Sequence, residues 1–124
     1  MKLAIVAFVV LASLAGPAMC KDFGPVSFSG NEVLEPCRRL AMFKDPISTS
    51  DALFVGDCAG MTRTLVAIGS YLPPHTRFCV PGAVTFQQAS KVFVAFLDAH
   101  PERLQELSTV LAMVAFRAAW PCDR

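Results

Sequence analysis

Apolar residues recur at helical spacing through the middle of the chain, where one stripe advances by alternating steps of four and three positions. The stripe comprises Phe54, Cys58, Met61, Leu65, Ile68 and Leu72. Thr49 or Ser50 is suited to cap the N-terminus of this helix. Gly56, Gly60 and Gly69 lower its intrinsic propensity. A neighbouring helix that crosses closely over these glycines would explain them.

A first helix is predicted on the N-terminal side of this stripe. Ser29 and Glu32 have the spacing of a capping box, which favours a helix from about Asn31, itself an alternative cap, to about Phe43. Pro36 would remove a hydrogen bond from such a helix and kink it. The alternative is therefore a helix that starts at about Glu35.

Two further helices are predicted after a Pro-rich break. Thr85 and Gln88 form a second capping box, and the helix they open should end near Ala99. Its buried stripe would be Ala89, Val92, Phe93, Phe96 and Leu97. Pro101 would be the first residue of the last helix, which Pro121 would end. The predicted inward positions of that helix are Leu104, Leu107, Val110 or Leu111, Val114 and Ala118.

No period-2 run is long enough for a sheet, so the predicted fold class is all-α, a small disulfide-stapled bundle of about four helices. The chain starts with the order of a secretory signal: Lys2, an apolar run to Leu14, then small and helix-breaking residues. That run is shorter than the roughly 20 residues that cross a bilayer, which disfavours a stable membrane anchor. We expect a cleaved signal peptide over residues 1–20, an irregular arm over 21–30 and a helical domain over 31–124.

Charge and cysteine content bear on the partners and the compartment. Without Lys2, ten Lys and Arg face ten Asp and Glu, a balance that disfavours nucleic acid as a partner. Removal of Cys20 leaves four of the five cysteines, an even number typical of an exported disulfide protein. Their wide spacing disfavours a metal site. The helix layout places Cys37 level with Cys58 and brings Cys79 near Cys122, so these are the predicted pairs.

The pattern favours a binding protein over an enzyme. His75 and His100 are the only histidines, and neither stands in an arrangement typical of nucleophilic catalysis. Asp57 and Asp98 lack a partner carboxylate at helical spacing, which disfavours acid–base catalysis. We therefore predict no catalytic residue, no metal site and no cofactor.

A set of short motifs occurs in an order that resembles a known family. The motifs are Cys58-Ala59-Gly60, Phe78-Cys79-Val80-Pro81, Val84-Thr85 with Gln88, Phe96-Leu97, His100-Pro101-Glu102 with Leu104, and Trp120-Pro121-Cys122. From about Cys37 to Cys122 the chain resembles the Rap/Tai immunity proteins of type VI secretion. Met61 and Thr64 stand where that family usually has a Tyr and a Gly.

The resemblance implies a helical periplasmic protein, often a homodimer, that binds a peptidoglycan amidase delivered by neighbouring cells and occludes its catalytic groove. A projecting element is then required, and the stiff loop from Tyr71 to Phe78 is the best candidate. Its predicted partner-binding residues are Tyr71, Pro73, Pro74, His75 and Arg77. The alternative function is a periplasmic helical interaction module of the cell envelope with no toxin partner.

Overall fold

The computed structural model describes residues 28–45 and 47–123. Within these residues the chain forms four α-helices and two single-turn 3-10 helices. The α-helices are α1 (Gly30–Ala41), α2 (Thr49–Ile68), α3 (Phe86–Ala99) and α4 (Ser108–Ala119), and the 3-10 turns are Gly69–Tyr71 and Pro101–Arg103. The all-α prediction is confirmed for this part of the chain. The predicted signal peptide, and most of the arm that follows it, lie outside the described residues.

The predicted capping box at the start of α1 is present. The backbone N–H of Ser29 donates to the Glu32 carboxylate at 2.7 Å, and the backbone N–H of Asn31 donates to Leu104 O at 2.9 Å. These contacts fix the first turn, so Pro36 is buried inside the helix and the alternative start beside it is wrong. The helix ends two residues before the predicted Phe43, which adopts φ 54°.

Helix α2 begins one to two positions earlier than the predicted caps allow. Ser48 is the cap, because its hydroxyl accepts from Asp51 N at 3.0 Å while the Asp51 carboxylate accepts from Ile47 N at 2.9 Å. Prediction of Thr49 or Ser50 as the cap was therefore wrong. Cβ atoms built at Gly56 and Gly60 would meet nothing within 4 Å. None of the helices in the described part of the chain crosses over these two glycines, so that explanation was wrong for Gly56 and Gly60.

The outer face of α2 is apolar and open. The segment Thr49–Tyr71 is long and apolar enough to cross a membrane by length and composition, with a mean hydropathy of 1.2, and 22% of its most apolar window is buried. Phe54 and Ile68, two members of the predicted stripe, are exposed. Of the other members, Cys58 and Leu65 are buried, and Met61 and Leu72 are partly buried against the core. Thr62, which lies outside the predicted stripe, completes the buried face of α2.

Helix α3 follows the prediction closely. The Thr85 hydroxyl accepts from Gln88 N at 3.2 Å, and the helix ends at Ala99. Of the predicted stripe, Ala89, Phe93 and Leu97 are fully buried, and Val92 and Phe96 are partly buried. The face that the sequence assigns to the core is the face that packs.

Helix α4 departs from the prediction at its start and in its orientation. Pro101 opens a separate 3-10 turn, and α4 begins only at Ser108, whose N–H donates to Phe28 O at 2.8 Å. Leu104 and Leu107 therefore precede the helix. Of the predicted inward positions, Leu111 is fully buried and Leu104 is partly buried against the core. The rest of the buried face is turned by about one residue from the predicted one. The whole face carries Ser108, Leu111, Ala112, Ala115 and Phe116, whereas Val110, Val114 and Ala118 are exposed.

Two disulfides join the helices in the predicted pairs. Cys37 of α1 is bonded to Cys58 of α2, and Cys79 is bonded to Cys122 beyond the end of α4. Cys37 and Cys58 are fully buried, whereas Cys79 is exposed and Cys122 is half-buried. The first bond therefore lies in the core and the second at the surface.

Candidate functional site

The loop from Tyr71 to Phe78 is a tight, internally bonded turn. It leaves the 3-10 turn at the end of α2, and the carbonyl of Pro73 then accepts from Thr76 N and from Arg77 N, both at 2.9 Å. Phe78 N donates back to Gly69 O at 3.2 Å, which closes the base of the loop. Proline at 73 and 74 restricts the backbone further. The loop therefore has little conformational freedom to lose when it binds a partner.

The base of the loop is anchored to the core and to the end of α4. The Phe78 ring is fully buried, with its centroid 5.6 Å from that of Phe116. Cys79 N donates to Trp120 O at 2.8 Å, beside the Cys79–Cys122 bond. A side-chain donor of Arg117 also bonds the carbonyl of His75 near the tip. Helix α4 and the residues after it hold the loop in place.

All five predicted partner-binding residues are exposed on this loop. Tyr71 is 86% exposed and makes no recorded side-chain hydrogen bond with the described residues. Arg77 folds back so that its Nε donates to Leu72 O at 3.1 Å. The loop thus presents an aromatic ring, two prolines, an imidazole and a guanidinium on a fixed backbone. That these residues contact a partner stays a prediction.

A strip of α4 beside the loop was missed by the sequence analysis. Val110 and Val114 are 38% and 37% exposed. Together with Met113, Arg117 and the loop residues His75 and Thr76, they line a shallow depression of about 120 Å³. The sequence signal for this strip is the placement of valine and alanine on α4. The smaller Ala112 and Ala115 face the core, which leaves Val110 and Val114 on the surface. An apolar centre with a polar rim is typical of a protein interface.

Asp98 and His100, at the end of α3, are engaged in local contacts. His100 stacks on Phe96, with a centroid distance of 4.5 Å, and its Nδ1 lies 3.2 Å from Glu102. A backbone hydrogen bond, and then the bond from His100, lower the pKa of Glu102. Asp98 accepts from Arg38 at 2.6 Å, across from α1. The described residues hold no group of three His, Cys, Asp or Glu side chains that could bind a metal ion.

Arg103 and Glu106 form an ion pair just before α4. Two hydrogen bonds, of 2.7 and 2.8 Å, join the guanidinium to the carboxylate. They lower the pKa of Glu106 and raise the pKa of Arg103. The pair stabilises the turn that precedes α4. The backbone carbonyls of Leu104 and Glu106 in this turn accept hydrogen bonds from the first turn of α1.

The loop and the α4 strip offer a partner a fixed shape, apolar area and hydrogen-bond donors.

Comparison with known proteins identifies one family. The model of a family described as Rap1a immunity proteins matches residues 29–122, which include all four helices, the loop and both disulfides. No curated protein and no solved structure matches the chain.

Proposed function

The chain belongs to the Rap1a immunity protein family, and we propose that it neutralises a peptidoglycan amidase toxin by binding over the catalytic groove. Immunity proteins act on a partner toxin by binding it. The observation that carries the proposal is the family match over residues 29–122, which includes the exposed, internally bonded loop. In this function the chain supplies a complementary surface and contributes no catalytic residue.

Occlusion requires an element that projects and keeps its shape, and the loop supports both requirements. Tyr71, His75 and Arg77 are exposed, and tyrosine and arginine are enriched among residues that dominate binding energies. The backbone bonds to Pro73 O hold the tip before any partner arrives. Such preorganisation increases affinity, because less entropy is lost on association. The exposed Val110 and Val114 extend the same surface along α4.

We place this function in the periplasm, in defence against a toxin delivered by type VI secretion. The order of charged, apolar and small residues over positions 1–20 supports export by a cleaved signal peptide. The two disulfides support an oxidising compartment. Osmotic-shock fractionation followed by intact-mass analysis tests this directly. A periplasmic protein that starts at Lys21 is expected, and a cytoplasmic protein that retains Met1 or Lys2 would refute the placement.

We also propose that the protein forms a homodimer, as the family resemblance implies. The exposed apolar side chains of α2, among them Leu53 and Ile68, support self-association by that helix. Sedimentation equilibrium of the wild type and of Leu53→Glu tests the proposal. A dimer that dissociates in the variant is expected, and a monomeric wild type at high micromolar concentration would contradict it.

The test of the main proposal is a capture and inhibition experiment. Tagged, oxidised protein is mixed with the secreted and periplasmic fractions of its own strain, and retained proteins are identified by mass spectrometry. We expect a peptidoglycan amidase among them. Release of cleaved stem peptides from purified peptidoglycan by that enzyme should fall to background when the immunity protein is present in excess.

Variants assign the contact to the loop. Arg77→Glu should weaken capture and inhibition, whereas Lys44→Glu, the same reversal of charge at an exposed residue after α1, should leave both unchanged. Failure to retain or inhibit any amidase, under conditions in which the toxin is expressed, would reject the amidase proposal. An envelope module without a toxin partner would then be the better description.

A further inference from the structure

A second concavity lies beside the loop, next to residues 120–123, which we call the C-terminal turn. It has a volume of about 460 Å³. Its lining residues are Pro74, Arg77, Arg117, Pro121, Cys122 and Asp123. Arg117 also lines the shallow depression on α4, so the two concavities adjoin at this residue. The Cys79–Cys122 bond joins the loop to the C-terminal turn and fixes the two walls relative to each other.

The two arginines of this cleft are not neutralised within the described part of the chain. Three other arginines pair with carboxylates: Arg38 with Glu35 and Asp98, Arg39 with Asp51, and Arg103 with Glu106. Among residues 28–45 and 47–123, Arg77 and Arg117 form no salt bridge. Asp123 lines the same cleft, but it lies beyond salt-bridge distance of both guanidinium groups. Among the described residues, two positive charges and one carboxylate therefore line this cleft.

Within residues 28–45 and 47–123, each of these guanidinium groups has one hydrogen-bond acceptor, a backbone carbonyl. Nε of Arg77 donates to Leu72 O at 3.1 Å, and Nη1 of Arg117 donates to His75 O. A guanidinium has five N–H donors in a planar fork. Both Nη groups of Arg77 and the remaining donors of Arg117 are thus available to a ligand. Their geometry suits the two oxygens of a carboxylate.

We propose that this cleft binds an acidic peptide segment of the partner, with Asp or Glu carboxylates bonded to Arg77 and Arg117. The statement that this partner is a toxin rests on the function proposed above, whereas the binding of an acidic segment rests on the cleft alone. Pro74 and Pro121 give the cleft apolar walls against which a peptide backbone and an aliphatic stem can pack.

The inference is tested on the isolated protein with a defined probe. An acetylated, amidated tetra-glutamate peptide is titrated at low ionic strength into the oxidised, isotope-labelled protein, with tetra-glutamine as the matched control. Backbone amide signals of residues 75–79, 117–120, 122 and 123 should shift and saturate with tetra-glutamate only. Arg77→Gln and Arg117→Gln should each weaken binding about tenfold, because a hydrogen-bonded ion pair is lost. Arg63→Gln should bind as the wild type does.

A variant that tightens binding guards against misfolding as an explanation. Asp123→Asn removes the carboxylate that lines the cleft, so it should strengthen tetra-glutamate binding at low ionic strength, and added salt should screen that gain. Equal shifts with tetra-glutamine, equal weakening by Arg63→Gln, or saturation by inorganic phosphate at the same concentration would each overturn the inference.

The capture experiment separates this inference from the proposed function. If an amidase is retained equally by the wild type and by the Arg77→Gln/Arg117→Gln double variant, the acidic-segment inference fails while the immunity function stands. If tetra-glutamate binds the cleft but no amidase is retained, the inference stands and the amidase proposal fails.

Discussion

The ring of Phe78 occupies the space that a side chain at Gly69 would need. A Cβ atom built at Gly69 would lie under 3.0 Å from three atoms of that ring, and Phe78 N donates to Gly69 O at 3.2 Å. Both residues are buried. The absence of a side chain at Gly69 therefore lets the base of the loop close onto the end of α2.

Gly69→Ala should consequently lower the free energy of unfolding by about 1 to 3 kcal/mol, the usual range for overpacking a core. Gly60→Ala is the matched control. Its Cβ would meet nothing within 4 Å, so the exchange should stabilise α2 by up to about 1 kcal/mol through the lower entropy of the unfolded chain. Urea unfolding of the two variants measures both effects. A Gly69→Ala variant whose free energy of unfolding equals or exceeds that of the wild type would contradict the close approach.

Phe43 combines exposure with a backbone conformation that suits glycine. It is 72% exposed, its φ is 54°, and Lys44 N donates to Arg39 O at 3.0 Å in the pattern of a helix C-terminal motif. A bulky residue in the left-handed region costs about 1 kcal/mol or more. Phe43→Gly should therefore raise the free energy of unfolding by about 1 kcal/mol.

The control for this prediction is Met42→Gly, at the neighbouring position with φ −100°, where glycine relieves no strain and should destabilise. Thermal unfolding of both variants distinguishes them. A Phe43→Gly variant that is less stable than the wild type would show that the exposed ring contributes more than its backbone strain removes.

Helix α3 and the end of α2 show what local sequence pattern could predict. In α3 the capping box at Thr85 and the stripe through Phe93 and Leu97 agree with each other, so the bounds and the buried face were both predicted correctly. The cysteine pairs followed because helical hairpins bring matching positions level. The exposed loop followed from Pro73 and Pro74, which cannot continue a helix.

The remaining features depend on contacts between distant parts of the chain. The start of α4 is set by backbone bonds from residues 30 and 31 to carbonyls at 104 and 106, and by the bond from Ser108 N to Phe28 O. No local pattern contains that information. Local periodicity therefore predicts Leu104 and Leu107 as helical, leaves Val110 and Leu111 as alternative inward positions, and assigns the exposed Val114 to the core. The α4 strip and the Arg117 side of the candidate site were missed for the same reason.

Acid should weaken the fold partly through Glu106. Hydrogen bonds from Arg103 lower the folded-state pKa of this carboxyl below its ordinary value of 4.5. Its contribution to stability is therefore fully present above pH 4.5 and is lost as the pH falls through the lowered pKa. Glu106→Gln should flatten the acid side of a stability-versus-pH curve, measured by denaturant unfolding at each pH.

Arg103→Gln should flatten the same part of the curve, because Arg103 is the principal cause of the shift. Some slope should persist in both variants, since the pKa of Glu102 is also lowered, first by a backbone hydrogen bond and then by His100. A curve that keeps its full acid slope in Glu106→Gln would assign the acid sensitivity to other carboxylates.

The two disulfides should differ in accessibility to reductant. Cys79 is exposed, whereas Cys37 and Cys58 are fully buried. A mild thiol should reduce Cys79–Cys122 in the native protein and leave Cys37–Cys58 intact until the chain unfolds. Timed alkylation and peptide mapping follow the order. Simultaneous reduction of both bonds would mean that even the surface bond opens only through global unfolding.

The free energy of unfolding that is lost when a disulfide is removed should increase with the length of chain that the bond closes. The sequence separations are 21 residues for Cys37–Cys58 and 43 for Cys79–Cys122. In the chain-entropy description these correspond to about 3 and about 4 kcal/mol. Paired Cys→Ala variants should approach these losses in urea unfolding. Loss of the surface pair should also weaken partner capture, because it releases the base of the loop.

The orientation of α4 can be tested by two substitutions three residues apart. Leu111 is fully buried, so Leu111→Ala should lower the free energy of unfolding by about 2 to 5 kcal/mol. Val114 is 37% exposed, so Val114→Ser should change stability by less than about 1 kcal/mol while it weakens capture of the partner. The reverse pattern, a stable Leu111→Ala and an unfolded Val114→Ser, would restore the inward face with Val110 and Val114, one of the two alternatives expected from the sequence. The strip beside the loop would then belong to the core and could not bind a toxin.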